Sequence, residues 1–146
     1  MKTVIQRVKE AEVFIEGAST TRIGAGVLVF LCVEQNDTEA EADYLVEKLL
    51  NLRMFNDAEK KMNLSSVEVN AELLVISQFT LSADCKKGRR PSFDSSAKPE
   101  VAEALYKYFI GKLQQSKSKV ASGVFGAMMD IRLINDGPVT FIINSK

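Results

Sequence analysis

Apolar positions along the chain occur either in short runs that suit β-strands or at intervals that suit helices. Residues 27–33 and 73–76 are apolar on both faces, which predicts two strands at the centre of a sheet. Residues 4–8 and 12–16, separated by a short break, predict a first β-hairpin. Residues 20–23 predict a third short strand. The beginning of the chain is therefore expected to be mostly β-structure.

Three more strands are predicted near the carboxyl end, at residues 120–124, 128–134 and 139–143. The last two are expected to be joined by a turn at residues 135–138, because Asn, Asp and Gly tolerate positive φ. Residues 53–55 are expected to begin a further strand, which the charged turn at residues 56–61 interrupts. The sequence thus predicts many short strands around the two apolar ones.

Two helices are predicted between these strands. Thr38 and Glu41 have the spacing of a capping box and precede apolar residues at helical intervals, so a helix is predicted from 38 to 52. Pro99 suits the first turn of a second helix that extends to about Gln115. The apolar stripe of this second helix is predicted to comprise Val101, Leu105, Tyr108, Phe109 and Leu113.

Composition limits both the size and the setting of the protein. With 146 residues, of which 46% are apolar, the chain is expected to form one domain spanning residues 1–146. The 19 basic and 19 acidic residues cancel, so any polyanionic partner has to be met locally. Two cysteines do not make a secreted disulfide framework, and no apolar run approaches ~18 residues. We therefore expect a soluble, cytoplasmic protein that does not enter a membrane.

The chain contains no histidine, and this absence restricts the chemistry. Histidine is the usual general base, the usual partner of a Ser or Cys nucleophile and the commonest metal ligand. With only two distant cysteines, a zinc site is not expected, and neither is any other metal or cofactor. If the protein is an enzyme, activation has to come from backbone dipoles, carboxylates or the substrate.

Two segments are candidates for binding. Ser77 and Gln78 follow a buried strand, where polar groups need hydrogen-bond partners or a ligand. The simpler explanation is that the side chains of these two residues form hydrogen bonds with neighbouring backbone groups. A basic cluster with the composition of a phosphate-binding loop follows, although a solvated surface loop has the same composition. The cations of this cluster are Lys86, Lys87, Arg89 and Arg90.

The turn at residues 135–138 contains the Gly137-Pro138 dipeptide. Only about one in twenty X-Pro bonds in folded proteins is cis, so the dipeptide by itself favours a trans bond and a simple connector. A cis bond would direct two carbonyl groups in unusual directions and would require a fixed environment.

Several motifs together resemble the D-aminoacyl-tRNA deacylases, also called D-tyrosyl-tRNA deacylases. The resemblance covers nearly the whole chain, in the order and spacing of that family. The segments that carry it are residues 4–8, 61–64, 77–81, 87–93 and 125–140. Two departures lie outside these segments: Lys60, where many members have glycine, and Asn70-Ala71, where a glycine pair is common.

The resemblance implies a mixed α+β fold of layered β/β/α, barrel-like sheets with two main helices. It also implies a homodimer that hydrolyses the ester joining a D-amino acid to the 3′ end of tRNA, with the pocket at the subunit interface. A cis Gly137-Pro138 peptide from the partner would enter that pocket, held by Arg7. By position, the resemblance implies that Ser77, Gln78, Phe79 and Thr80 form the catalytic floor, that Phe125 is a platform for the terminal adenine and that Met129 supports the pocket.

A physical argument agrees with this expectation. A pocket that accepts many D side chains has to recognise the groups they share, the ammonium through backbone carbonyls and the ester carbonyl through backbone N–H groups. Carbonyls of Gly137 and Pro138 would bind the ammonium and leave no room for an L side chain. Glycine has no side chain, so glycyl-tRNA is expected to be accepted as well.

Two other functions fit parts of the sequence. The first is a nucleic-acid binder without catalysis, which would use the basic cluster and stack bases on Phe79, Phe93 or Phe125. Its zero net charge counts against it. The second is a hydrolase of small molecules with Ser77 or Thr80 as nucleophile, against which the lack of histidine counts.

Overall fold

The computed structural model describes residues 1–145 of the chain. Eight strands and two α-helices follow one another along it, together with one short 3₁₀ helix, Phe79–Ser82. In chain order the elements are β1 (Lys2–Ile15), β2 (Ala18–Ile23), β3 (Gly26–Cys32), α1 (Glu39–Asn51), β4 (Phe55–Asn56), β5 (Met62–Leu64), β6 (Glu72–Ser77), α2 (Pro99–Leu113), β7 (Val120–Ser122) and β8 (Asp130–Asn144).

Six strands form the main sheet, in the order β2-β1-β3-β6-β7, with β8 paired to β1. The pairs β3–β6 and β6–β7 are parallel, and β1 is antiparallel to β2, β3 and β8. Strands β4 and β5 make a separate two-stranded ribbon. The two apolar runs predicted to be central, β3 and β6, lie side by side in the middle of the main sheet.

The central strands are buried on both faces because a different layer covers each face. On one face, Val27, Val29 and Leu31 pack in a core with the apolar sides of α1 and α2. On the other face, Leu28 and Leu74 pack in a second core with the distal half of β1, β2 and the first half of β8. The long strand β1 thus belongs to both layers, and the result is the expected mixed α+β, barrel-like β/β/α arrangement.

The predicted first hairpin is wrong. Residues 2–15 form one continuous strand, and the polar break at Lys9 and Glu10 is not a turn. The pairing of β1 with β8 shifts register between Gln6 and Val8 and again before Glu10, so an irregularity in the ladder takes up the break. The chain reverses only after β1, at Glu16 and Gly17, both of which have positive φ.

The predicted turn between the last two strands is also wrong. Residues 130–144 form a single strand along β1, in which Asn135 pairs with Val8 and Thr140 pairs with Gln6. Residues 136–139 therefore form an extra loop inside β8, which we call the Gly-Pro bulge. Asn135 closes its base, because its side-chain amide donates to the carbonyl of Val139 at 3.0 Å and to that of Arg7 at 3.1 Å.

Both predicted helices are confirmed. Thr38 is the N-cap of α1, and both hydrogen bonds of the capping box with Glu41 are present. Pro99 occupies the first turn of α2. The predicted stripe of α2 needs a correction, because Val101 is 47% exposed whereas Tyr106, which the stripe omitted, is buried. None of the helices within residues 1–145 is long and apolar enough to cross a membrane.

The two departures from the family pattern lie at special backbone positions. Lys60 has φ of 63° and Asn70 has φ of 51°, the left-handed region that glycine adopts without steric cost. Lys60 lies in the tip of the β4–β5 ribbon, and Asn70 precedes β6. The backbone explains why glycine suits both places.

Candidate functional site

A cavity of about 640 Å³ opens at the carboxyl end of β6, and we call it the β6 cavity. The other described cavities measure about 390, 360 and 400 Å³. The walls of the β6 cavity come from the 3₁₀ helix, the start of α2 and residues 125–129. Its volume and its largely apolar lining are those of a small-molecule pocket. The cavity brings together six of the predicted site residues: Ser77, Gln78, Phe79, Thr80, Phe125 and Met129.

The floor of the β6 cavity offers backbone donors. The N–H of Gln78 donates to the carbonyl of Leu31 at 2.8 Å, which extends the β3–β6 pairing beyond β6. The chain then enters the 3₁₀ helix, whose first N–H groups have no partner within the helix. Within residues 1–145 neither the N–H of Phe79 nor that of Thr80 donates a hydrogen bond. Two adjacent N–H groups at the cavity are thus available to a ligand.

Hydrogen bonds to the carbonyl of Phe79 hold the 3₁₀ helix in place. The hydroxyl of Ser82 donates to this carbonyl at 2.8 Å, and the thiol of Cys32 donates to it at 3.5 Å. The hydroxyl of Ser96 also lies 3.5 Å away and shares a hydrogen bond with Ser82. Burial raises the pKa of the Cys32 thiol, which keeps it protonated and able to donate. Because the Phe79 carbonyl and the Thr80 N–H belong to the same peptide plane, this network fixes the direction of the Thr80 N–H.

The hydroxyl of Thr80 is held by its neighbour. The side-chain amide of Gln78 donates to Thr80 Oγ1 at 2.6 Å. Within the described chain, no carboxylate or amine makes a hydrogen bond with this hydroxyl, and the sequence contains no histidine. The arrangement lacks the base that a threonine nucleophile requires.

The opposite wall of the cavity depends on Gly123. A Cβ atom on this glycine would lie 2.8 Å from Cδ1 of Ile76 and 2.8 Å from Sδ of Met129, so the ends of these two side chains would have to shift if residue 123 carried a side chain. Met129 packs against the second core. Phe125 lies two residues after Gly123, and its half-buried ring packs on the ring of Tyr106, with 5.8 Å between centroids. The wall is therefore tied to the core behind it.

Gly137, Pro138 and Arg7 do not line the β6 cavity of their own chain. The Gly137-Pro138 peptide is cis, and both residues are exposed at the tip of the Gly-Pro bulge. Arg7 is only 5% exposed and lies under this bulge. Its Nε lies 3.0 Å from a carboxylate oxygen of Asp136, and its Nη1 donates to the carbonyl of Met54 at 2.6 Å. Arg7 thus connects the bulge to the β4–β5 ribbon.

Lys86, Lys87, Arg89 and Arg90 are all exposed in residues 84–92, which we call the basic loop. Reciprocal backbone hydrogen bonds between Asp84 and Ser92, at 2.8 and 3.0 Å, close its base. Phe93, directly after the loop, packs edge-on against Phe79 with 5.0 Å between centroids. No ion pair within residues 1–145 involves any of the four cations. The loop is therefore a charged surface attached to the cavity floor.

Sequence reasoning did not find four residues that hold the floor and wall of the cavity in place: Cys32, Ser82, Ser96 and Tyr106. The serines and the cysteine carry no pattern that would single them out. Tyr106 had a signal, because it lies three and seven residues before Phe109 and Leu113, the spacing of a helix face that contacts the core.

Comparisons with known proteins agree on one family. The sequence model described as D-Tyr-tRNA(Tyr) deacylase matches residues 4–144. A D-aminoacyl-tRNA deacylase of Geobacter sp. (strain M21) is 54% identical over 145 residues, which cover 99% of this chain and 97% of that protein. The enzyme of the same name from Thermosipho africanus (strain TCF52B) is 49% identical over 146 residues, covering 100% and 98%.

Solved structures have the same fold. One described as a c-Myc DNA unwinding element binding protein has a TM-score of 0.95 at 38% identity and covers 100% of this chain and 99% of its own. Another, described as a probable eukaryotic D-amino acid tRNA deacylase, has a TM-score of 0.83 at 21% identity, with 98% of each chain covered. The protein is thus a deacylase, a kind of hydrolase. It belongs to the D-Tyr-tRNA(Tyr) deacylase family.

Proposed function

We propose that the protein hydrolyses the ester between a D-amino acid and the 3′ end of tRNA, releasing the free D-amino acid and tRNA. The observation that carries this proposal is the pair of unpartnered N–H groups of Phe79 and Thr80 at the floor of the β6 cavity. They would donate to the ester carbonyl as negative charge develops on its oxygen. One donor of this kind contributes ~3 kcal/mol to transition-state stabilisation.

The remaining lining of the cavity suits the ends of such a substrate. The ring of Phe125 offers a face on which the terminal adenine stacks. The apolar lining excludes bulk water, which strengthens the hydrogen bonds at the floor. These contacts involve the ester carbonyl and the terminal adenine and not the amino-acid side chain. Substrates with different side chains are therefore accepted.

The attacking group in this proposal is water rather than a side chain. Thr80 acts as a structural hydroxyl that accepts from Gln78, since it has no base to take its proton. The 2′-hydroxyl of the terminal adenosine lies beside the ester in the substrate. It donates and accepts hydrogen bonds, and so it orients the water or assists the leaving 3′ oxygen.

We further propose that the active form is a homodimer in which each Gly-Pro bulge completes the partner's β6 cavity. The bulge is exposed and takes no part in its own chain's cavity. Strand β8 pairs only with β1 among the described strands, and its Ile134 and Ile142 are 50% and 74% exposed. Met128, at the cavity, is 91% exposed. Association of two subunits around a two-fold axis would cover this apolar surface on both of them.

Chirality follows from this arrangement. Carbonyl oxygens of the partner's bulge would accept hydrogen bonds from the substrate ammonium, and the bulge would occupy the volume into which an L side chain projects. Glycyl esters carry no side chain and are accepted. Charged tRNA is used where proteins are made, so we place this activity in the cytoplasm.

The direct test compares a matched pair of D- and L-aminoacyl-tRNA that differ only at the α-carbon. We expect the D ester to be hydrolysed at least ~100-fold faster than the L ester, because the L side chain meets a filled volume. The Ala127→Trp variant, whose indole fills the β6 cavity, serves as the control and should hydrolyse neither ester. Equal rates for the two esters, or hydrolysis by the control variant, would refute the proposal.

Binding of nucleic acid without hydrolysis is the second candidate function. It is favoured by the relative described as a DNA unwinding element binding protein and by the exposed, unpaired cations of the basic loop. Salt-dependent binding of uncharged tRNA or DNA, together with stable D-aminoacyl esters in the assay above, would favour this candidate over the deacylase.

The basic loop is expected to contact tRNA phosphates. Replacing Lys86, Lys87, Arg89 and Arg90 with glutamine should lower the slope of log K against log salt by up to about 3 to 4, because each phosphate contact contributes ~0.9. The preference for D over L esters should not change, since these contacts position the tRNA. Glutamine at the exposed Lys9 and Lys117 is the control and should leave the slope as it was. An unchanged slope in the loop variant would show that the loop is only a solvated surface.

A further inference from the structure

Tyr106 lies at the point where β6 and β7 separate to open the cavity. It projects from α2, is 3% exposed, and its hydroxyl lies 2.8 Å from the carbonyl of Val75 and 3.1 Å from that of Gly123. Val75 is two residues before Ser77, and Gly123 is two residues before Phe125. One hydroxyl therefore contacts β6 and the residue that follows β7, immediately before the two segments contribute the floor and the aromatic wall.

We propose that Tyr106 is a positioning residue that holds the Phe125 platform at a fixed distance from the ester floor. This inference rests on the proposed function, in which Phe125 carries the adenine and the floor binds the ester. The ring of Tyr106 supports the platform from behind, through its 5.8 Å contact with Phe125. The hydroxyl sets the separation of the two segments.

The two carbonyls that contact the Tyr106 hydroxyl differ in their other hydrogen-bond partners. The carbonyl of Val75 also accepts from the N–H of Gly123 at 2.9 Å, so it keeps a partner without the tyrosine hydroxyl. The buried carbonyl of Gly123 has no other donor within residues 1–145. The single proton of the hydroxyl is shared between the two carbonyls in a three-centre hydrogen bond. Its loss takes away the donor of the Gly123 carbonyl, and the segment carrying Phe125 moves to find a new partner.

The hydroxyl is a donor under all assay conditions. Burial raises the pKa of Tyr106 to about 12. Between pH 6 and about pH 9 the group is fully protonated, so the tether does not titrate. Changes seen in a variant at this position therefore report geometry rather than charge.

The test compares two substrates of one amino acid: the 3′ D-aminoacyl ester of adenosine, which needs the platform, and the 3′ D-aminoacyl ester of methyl riboside, which keeps the 2′-hydroxyl but lacks the base. The wild-type protein should prefer the adenosine ester. In Tyr106→Phe we expect the ratio of the two kcat/KM values to fall about tenfold, because small displacements of a positioned group cost that much or more. Partial unfolding lowers both rates equally and leaves the ratio unchanged, so a partly folded preparation remains informative.

Tyr108→Phe is the matched control. Tyr108 is on the same helix, and its hydroxyl contacts Asp43 on the outer side of the protein. This variant should keep the wild-type ratio. A wild-type ratio in Tyr106→Phe would overturn the inference and leave the deacylase proposal standing. A wild-type protein that shows no preference for the adenosine ester would instead refute the platform itself, and with it the role of Tyr106.

Discussion

Removing the 2′-hydroxyl of the terminal adenosine will slow enzymatic hydrolysis of the D-aminoacyl ester at least ~100-fold, the usual scale of a lost proton-transfer or orienting group. The reason lies in the chemistry of the β6 cavity, which provides two backbone N–H donors and no side-chain base for the hydroxyl of Thr80. The substrate has to supply the group that assists attack. The deoxy substrate should nevertheless bind, because its amino acid, adenine and phosphates are unchanged.

The matching variant is Thr80→Ala. It removes the acceptor of the Gln78 amide but leaves the N–H of residue 80 at the cavity floor, so activity should stay within about tenfold of the wild-type value. Each rate is divided by the spontaneous rate of the same ester, since the 2′-hydroxyl also affects uncatalysed hydrolysis. Competition against the unmodified substrate measures binding. If Thr80→Ala is inactive and the deoxy substrate is hydrolysed as fast as the unmodified one, the two results would together establish a side-chain nucleophile.

Mixing two inactive variants will restore about a quarter of the wild-type activity if each site is shared between subunits. The first variant is Gly137→Ala. Residue 137 has φ of +123°, and an added Cβ would lie 2.8 Å from Cγ2 of Val139 and 2.9 Å from Nη2 of Arg7, so the Gly-Pro bulge has to move. The second variant is Ala127→Trp, which fills the cavity and leaves the bulge intact.

The expected fraction follows from two-fold symmetry. Random exchange makes roughly half of the dimers mixed, and each mixed dimer contains one site with an intact cavity and an intact bulge, which gives about one quarter of all sites. Each variant alone should lose at least ~100-fold in kcat/KM. Co-expression with two different affinity tags isolates the mixed dimer for the assay. Mixed dimers as inactive as their parents would show that each chain has a complete site of its own.

Sequence patterns predicted the parts of this protein that depend on neighbours along the chain. The α1 helix was recognisable because Thr38 and Glu41 cap it locally, and the central strands were recognisable because β3 and β6 are apolar on both faces. The absence of histidine excluded the common catalytic arrangements before any geometry was known. The motif at residues 77–81 marked the floor of the cavity, although its free N–H groups are visible only in the structure.

Two interruptions of the strand pattern have a structure that only the tertiary fold decided. A polar pair such as Lys9-Glu10 and a turn sequence such as that at 135–138 both reverse the chain in isolation. Here each remains inside a long strand, because β1 and β8 lie antiparallel along their whole length and satisfy each other's backbone groups on both sides of the irregularity. Arg7 and Asn135 then fix the bulge through contacts between residues ~130 positions apart, which no local pattern encodes. The same holds for Tyr106, whose position in α2 is set by helical spacing but whose hydroxyl acquires its partners only where β6 and β7 diverge.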